Sequence, residues 1–313
     1  MNFNNFDLNL LRSLDALIRE RNVTRASEKL HVTQQAMSGA LRRLRGHFED
    51  DLLVRVGRSM ELTPLARALR DPVREALLKI QSALDTQPKF DPALARNRFR
   101  IGMSDYSSLI FLPRLLRRLN EEAPNIAVEV AGLLDSAYLA LESGDLDFCI
   151  SPMDPDLFIN YRPSEDLVHD PLFEDDFVCV VDARFFGSNA QLTTAQYLSA
   201  KHNVVRIGEG VETVVEHAWR LADFRPRVAA TAPSFSALIF ALPGTQLVAT
   251  AQRKLANAIA PILGLSIYPC PMAVPPLRED MMWHRRNQDN LAHAYMRRIM
   301  VEEASELTAN HNL

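Results

Sequence analysis

The stretch TQQAMSGALRRLRGHF, Thr33 to Phe48, constrains the chain most. Read as a helix, it carries two arcs. Met37, Ala40, Leu41, Leu44 and Phe48 fall at i, i+3, i+4, i+7 and i+11, one apolar stripe. Gln34, Ser38, Arg42 and Arg45 form a polar stripe beside it. No acidic residue lies between Thr33 and His47, while three arginines do. A helix of this length spans roughly 24 Å and fits a major groove about 12 Å wide. Glutamine pairs with adenine edges, arginine with guanine or phosphate, and serine with either. Taken alone, the same pattern also describes a solvated amphipathic helix.

The flanks favour the groove. From Phe6 to Arg21, the residues Phe6, Leu10, Leu14, Leu17 and Ile18 repeat at helical spacing. Asn22 and Thr24 offer cap oxygens to a short second helix, VTRASEKL, with Ala26 and Leu30 inward. His31, Val32 and Thr33 make a tight connection, with Thr33 capping the basic helix. Two short helices joined by such a turn are the helix-turn-helix plan. Next, Leu52 to Val56 and Met60 to Leu62 read as a hairpin turning at Gly57, Arg58 and Ser59. As a wing, it would bring Arg55 and Arg58 to phosphates or the minor groove.

The segment ASEKLHVTQQAMSGALRRLRGHFEDDLLVR, with LTPLA after it, resembles the N-terminal winged helix-turn-helix of LysR-type transcriptional regulators. PVREALLKIQ, FRIGMSD and MRRIMVEEAS resemble the nodulation-activator (NodD) branch and its relatives that respond to aromatic compounds. The resemblance implies a DNA-binding activator with no cofactor, whose state is set by a small effector. It implies dimers pairing into a tetramer, on promoter DNA with an interrupted inverted repeat, touching RNA polymerase. It places Gln34, Gln35, Ser38 and Arg42 at positions that read bases or backbone, and Thr63 where a phosphate is held near the wing. With Thr33, Arg45, Arg55 and Arg58 these make up the expected DNA-contacting set. Gln35 stands where the family usually has a proline, and Ala251-Gln252 where many members have a proline after a strand.

A chain of 313 residues is long enough for two or more domains. Its apolar content of 47% and charged content of 24% are those of a soluble globular protein. With a net charge of −4, affinity for DNA must come from a local patch: Arg42, Arg43, Arg45, Arg55 and Arg58. No run approaches the roughly 18 apolar residues of a membrane span. Asp7, Arg12 and Asp15 interrupt what a signal peptide would need, so a cytoplasmic protein is expected. Cys149, Cys179 and Cys270 lack metal-ligand spacing; the first two sit in strand-like runs and read as reduced core residues, with a redox role as the alternative.

The winged domain is expected over residues 1–63, and a linker helix over 64–86 opening at Pro64. Along that helix Leu69, Val73, Ala76, Ile80 and Leu84 line one side. That seam suits a partner helix across a dimer, or the protein's own domains. Residues 87–97, QPKFDPALARN, read as a hinge. From residue 98 to 313 strands alternate with helices, including one helix over Leu109 to Ala123, which argues for parallel sheets with crossovers. There is too much for one small sheet. Two α/β subdomains fit, 98–174 with 268–305 and 175–267, resembling the two-lobed type 2 periplasmic-binding-protein fold.

Ligands in open α/β sheets bind beyond strand carboxyl ends, at helix N-termini. Three places qualify: Ser104-Asp105 with Phe111 in the helix that follows, Gly208 to Gly210 with Glu212, and Ser234-Phe235. Backbone N–H groups there suit a carboxylate or phenolate, and Phe111 and Phe235 an aromatic ring. Each of these residues also has a plain role as a cap or core residue. The glycine spacing at 208–210 is not a dinucleotide fingerprint, no histidine pairing suits a metal, and no nucleophile elbow or P-loop occurs. A two-lobed binding protein or enzyme with an N-terminal interaction module is the reading from another class.

Overall fold

The computed structural model describes residues 6–57, 59–84, 89–133, 137–152, 164–186, 191–207 and 212–309. It divides into two compact units, residues 1–86 and 87–313.

In the first unit, α1 (Asn9–Glu20), α2 (Val23–Leu30) and α3 (Gln34–Phe48) are followed by the hairpin β1 (Leu53–Val56) and β2 (Ser59–Leu62), then α4 (Pro64–Leu84). Local chemistry sets the breaks. The Asn22 side chain accepts from Arg25 N at 3.0 Å to start α2, and Thr33 Oγ1 accepts from Ala36 N at 3.1 Å to start α3. Arg21, His31 and Glu49 close the three helices in the left-handed region, at φ 46°, 54° and 51°. Leu10, Leu14, Leu17, Met37, Leu41, Leu44, Leu52 and Leu53 make one buried core, each contributing about 1.5–3 kcal/mol. Ala66 and Val73 of α4 are buried in that core, with Leu69 and Leu77 against it, and Arg74 reaches Asp15 of α1 at 3.4 Å. The expected single seam along α4 is therefore split. Its first half packs on α1 of the same chain, because α1 offers an apolar flank; Ile80 and Leu84 remain 40% and 75% exposed.

The second unit begins with β3 (Arg98–Met103), α5 (Asp105–Ile110), α6 (Leu112–Glu122), β4 (Ala127–Gly132), α7 (Ala137–Glu142), β5 (Phe148–Ser151) and β6 (Leu167–Asp175). A second set follows: β7 (Phe177–Val181), α8 (Ala183–Phe186), α9 (Thr194–Ser199), β8 (Lys201–Val205), α10 (Val214–Leu221), β9 (Arg227–Ala232), α11 (Phe235–Phe240), β10 (Leu247–Gln252), α12 (Arg253–Ile259) and β11 (Ser266–Pro269). Then β12 (Leu277–His284) and α13 (Leu291–Ala309) end the unit. Two five-stranded sheets result, in the orders β4-β3-β5-β12-β6 (lobe I) and β11-β7-β10-β8-β9 (lobe II). The chain crosses at Asp176 and returns between Pro269 and Leu277.

The sheets are mixed, not wholly parallel. β12 runs antiparallel to both β5 and β6, and β7 is antiparallel to β10 and β11. β6 is an edge strand, which is where Pro171 is tolerated, and the β6–β12 register slips between Glu279 and Asp280. The expected single helix over Leu109–Ala123 is two. Pro113, in the first turn of α6, has no N–H to continue the preceding ladder, and the chain turns at Phe111. Cys149 and Cys179 are free and buried, and Cys270 is half-buried.

Candidate functional site

The first candidate surface belongs to α3 and the hairpin. Thr33, Gln34, Gln35, Ser38 and Arg42 are all exposed, opposite the buried Met37, Ala40, Leu41 and Leu44. Among the described residues Arg42 has no ion-pair or hydrogen-bond partner, whereas Arg43 pairs with Asp7 at 3.3 Å. Arg45 turns another way. Its guanidinium donates to the carbonyls of Asp51 at 2.8 Å and Leu53 at 2.9 Å, tying α3 to the start of β1. That tie matters because Leu52 sits at φ 59°, in the left-handed region that bulky L residues seldom adopt, with its N–H held by Asp50 Oδ1 at 2.6 Å. Thr63 is buried; its hydroxyl donates to Asp50 at 2.6 Å and accepts from Ala66 N at 3.1 Å, capping α4. Arg55 is exposed on β1, its Nε donating to Gly57 O at 3.2 Å, and Gly57 takes φ +65° at the hairpin turn. Arg58 lies outside the described residues.

The second candidate is a cleft between the lobes, of about 1060 Å³ counting its solvent-open mouth. Lobe I contributes Ser104, Tyr138, Cys149, Ser151, Leu277 and Glu279. Lobe II contributes Phe177, Asn203, Val205, Glu212, Thr213, Glu216, Trp219, Phe235, Thr250 and Gln252. Of the expected ligand residues, the cleft thus unites Ser104, Glu212 and Phe235. Phe111 does not line it. That ring is fully buried in lobe I, stacked on Phe173 with centroids 6.1 Å apart, where the turn between α5 and α6 points it inward. Gly208 lies outside the described residues.

Asp105 has a different role from the one expected. Its carboxylate accepts from Phe235 N at 3.0 Å and Ser236 N at 2.7 Å, so lobe I occupies the N-terminus of α11 in lobe II. Next in the chain, Tyr106 donates to Asp175 Oδ2 at 2.8 Å, at the crossing between lobes, where Lys254 N also donates at 3.0 Å. Burial outweighs the attraction in this pair: it raises the Asp175 carboxyl and lowers the Lys254 ammonium from their ordinary values, despite an Nζ to Oδ1 distance of 3.7 Å. Ser107 completes the run, donating to Glu279 Oε1 at 3.1 Å.

The carboxylates of the cleft differ in their company. Glu212 accepts from Arg220 at 3.0 Å and contacts His217 at 3.2 Å; the arginine, first, holds its carboxyl below the usual value. Glu216 closes a capping box with Thr213 and pairs with Arg206 at 3.0 Å. Glu279 has no cation beside it among the described residues, and burial pushes its carboxyl up to about 8. Glu279, Asn203 and Trp219 were not singled out from the sequence, and Gln252 was noted only where many members of the family have a proline. The signals present were thin: a Thr-x-x-Glu box at 213–216, and two acids ahead of the apolar run Met281–Trp283.

A winged helix-turn-helix with a bare polar helix face, in one chain with a two-lobed receptor cleft, defines a ligand-responsive DNA-binding class of protein. Comparison agrees: residues 8–67 match the bacterial regulatory helix-turn-helix protein, lysR family, and residues 92–305 match the LysR substrate binding domain. The chain belongs to the LysR family and is a DNA-binding transcription regulator with an effector-binding domain. Nodulation protein D 1 of Rhizobium tropici is 37% identical to it, covering 98% of each chain. Nodulation protein D 2 of the same organism is 36% identical, covering 97% of this chain and 95% of that one. A probable transcriptional regulator from Pseudomonas aeruginosa is 30% identical and superposes with a TM-score of 0.66, covering 96% and 97% of the two chains. Among the described residues no helix is long and apolar enough to cross a membrane, and no cluster of side chains suits a metal ion.

Proposed function

We propose that the protein is a cytoplasmic transcription activator whose state is set by a small aromatic ligand held between the two lobes. The observation that carries this is the aromatic lining of the cleft: Tyr138 from lobe I, with Phe177, Trp219 and Phe235 from lobe II. The similarity to the nodulation D proteins over nearly the whole chain supports the same reading. Gln34, Gln35, Ser38 and Arg42 read the major groove, while Arg55 and Arg58 of the wing meet phosphates or the minor groove. Thr33, Arg45 and Thr63 hold the elements that present them. Two dimers engage promoter DNA carrying an interrupted inverted repeat and contact RNA polymerase. Ligand changes the lobes' arrangement only through unequal affinity for the two states, and the linker helices pass that change to the recognition helices.

Footprinting of purified protein on the fragment upstream of its own gene, with and without hydroxylated aromatics, tests this. A protected inverted repeat whose footprint changes with an aromatic is expected; protection indifferent to every aromatic counts against the ligand half. Arg42→Ala is expected to weaken operator binding by about 1–3 kcal/mol at fixed salt. An unchanged gel-shift affinity removes Arg42 from the reading set.

A further inference from the structure

We propose that Glu279 sets ligand specificity in the cleft, requiring an uncharged hydroxyl or carbonyl opposite it and rejecting a carboxylate. This rests on the cleft being the ligand site. Three side-chain oxygens of its wall, Oε2 of Glu279, Oδ1 of Asn203 and Oε1 of Gln252, have no hydrogen-bond partner among the described residues. The three residues are 3%, 2% and 2% exposed. Two are held in that orientation. Asn203 Nδ2 donates to Leu238 O at 3.0 Å, which leaves Oδ1 as the unpaired end. Ser107 Oγ donates to Glu279 Oε1 at 3.1 Å, which leaves Oε2. Buried oxygens in this state are costly unless something donates to them, and all three border one cavity.

Charge decides which donor. Among the described residues the cleft lining contains no lysine, arginine or histidine. Its other carboxylates, Glu212 and Glu216, are already matched by Arg220 and Arg206. An anionic ligand would therefore be buried beside carboxylates without a counter-charge. Burial keeps Glu279 protonated at neutral pH, since its carboxyl is pushed up to about 8. A neutral carboxyl both donates and accepts through Oε2, which suits a hydroxyl or a carbonyl. The groups facing Glu279 are Cys149 on β5, Tyr106 and Ser107 on α5, Phe173 across from it on β6, and Asp280 beside it. Burial holds Cys149 and Tyr106 protonated well above their ordinary values, so neither ionises in the range where Glu279 does.

Calorimetric titration of the full chain with a matched set of probes tests the proposal: 2-naphthalenemethanol, 2-naphthoate and 2-methylnaphthalene. The alcohol is expected to bind about tenfold or more tightly than the carboxylate, and to beat the hydrocarbon by a similar factor. Glu279→Gln keeps alcohol binding within about threefold, while Glu279→Leu loses the preference for alcohol over hydrocarbon. Raising the pH from about 6 to about 9 weakens binding of 2-acetonaphthone, whose carbonyl only accepts, in the native protein and not in Glu279→Gln. If Glu279→Leu does not fold, the Gln variant and the pH series decide. Naphthoate binding as tightly as the alcohol, or a pH response that persists in Glu279→Gln, overturns the proposal while leaving the cleft a ligand site. No binding of any probe by folded protein overturns the ligand-site reading, and this proposal with it.

Discussion

Arg42 and Arg45 lie three residues apart on one helix, yet their guanidinium groups have different neighbours. Arg42 reaches past the surface with no partner among the described residues; Arg45 folds back onto the carbonyls of Asp51 and Leu53. Arg45→Ala is expected to cost about 1–3 kcal/mol of stability through loss of these charge-assisted bonds. Thermal unfolding of the first unit's transition checks it, and an unchanged midpoint would show that the strained turn at Leu52 holds itself. Helical spacing puts both arginines on the polar arc, and that much was readable. Which of them bends inward depends on where the chain after α3 returns, and nothing in the spacing encodes that. Thr63 teaches the same lesson: its hydroxyl is consumed by Asp50, thirteen residues away, and by the cap of α4.

Elements with strong local signals were legible to within a residue or two. α2 and α3 begin at Asn22 and Thr33 because those side chains cap them, and their apolar stripes face one core. β6 was not legible, since LVHDPLFED mixes charges and a proline into a strand that only an edge position tolerates. In α13, His293 shows how burial alters an ordinary residue. Packed on Phe148 at 3.9 Å between ring centroids, with Arg297 at 2.9 Å, its imidazole is lowered to about 3, first by burial and then by the arginine. The unfolded chain binds that proton near the ordinary histidine value, so stability is complete above about pH 6.5 and falls as pH drops towards about 3. The second unit should lose up to about 1.4 kcal/mol per pH unit over that window. His293→Asn is expected to flatten the slope in urea titrations at stepped pH; an identical slope would assign acid sensitivity to other groups.

At the scale of the molecule, two features bear on the proposed movement and assembly. α5 sends three consecutive residues to three anchors: Asp105 to α11, Tyr106 to the crossing at Asp175, and Ser107 to Glu279 in the cleft wall. Asp105→Ala should release the amides of Phe235 and Ser236, with exchange faster by about tenfold in hydrogen-exchange measurements. Unchanged protection there would mean the lobes are held by other contacts. On α4, Ile80 and Leu84 are exposed one turn apart. Charging both, with Ile80→Glu and Leu84→Glu, is expected to shift the sedimenting species towards monomer at micromolar protein; an unmoved distribution would place the dimer contact elsewhere.

Local information in the chain settled most of the longer helices and where they start, that a basic helix presents a bare polar face, and that two α/β lobes follow; the short helices α5, α8 and α9 were not read. Spacing and capping act over a few residues, so a one-dimensional reading captures them. The assignment of individual side chains to ligand, to clasp or to core was decided only in three dimensions. Phe111 went to the core, Asp105 to the opposite lobe, and Glu279 to the cleft, because each depends on partners between about sixty and more than one hundred and seventy residues away. Burial and the absence of a nearby cation, rather than residue type, determine what such a group can bind.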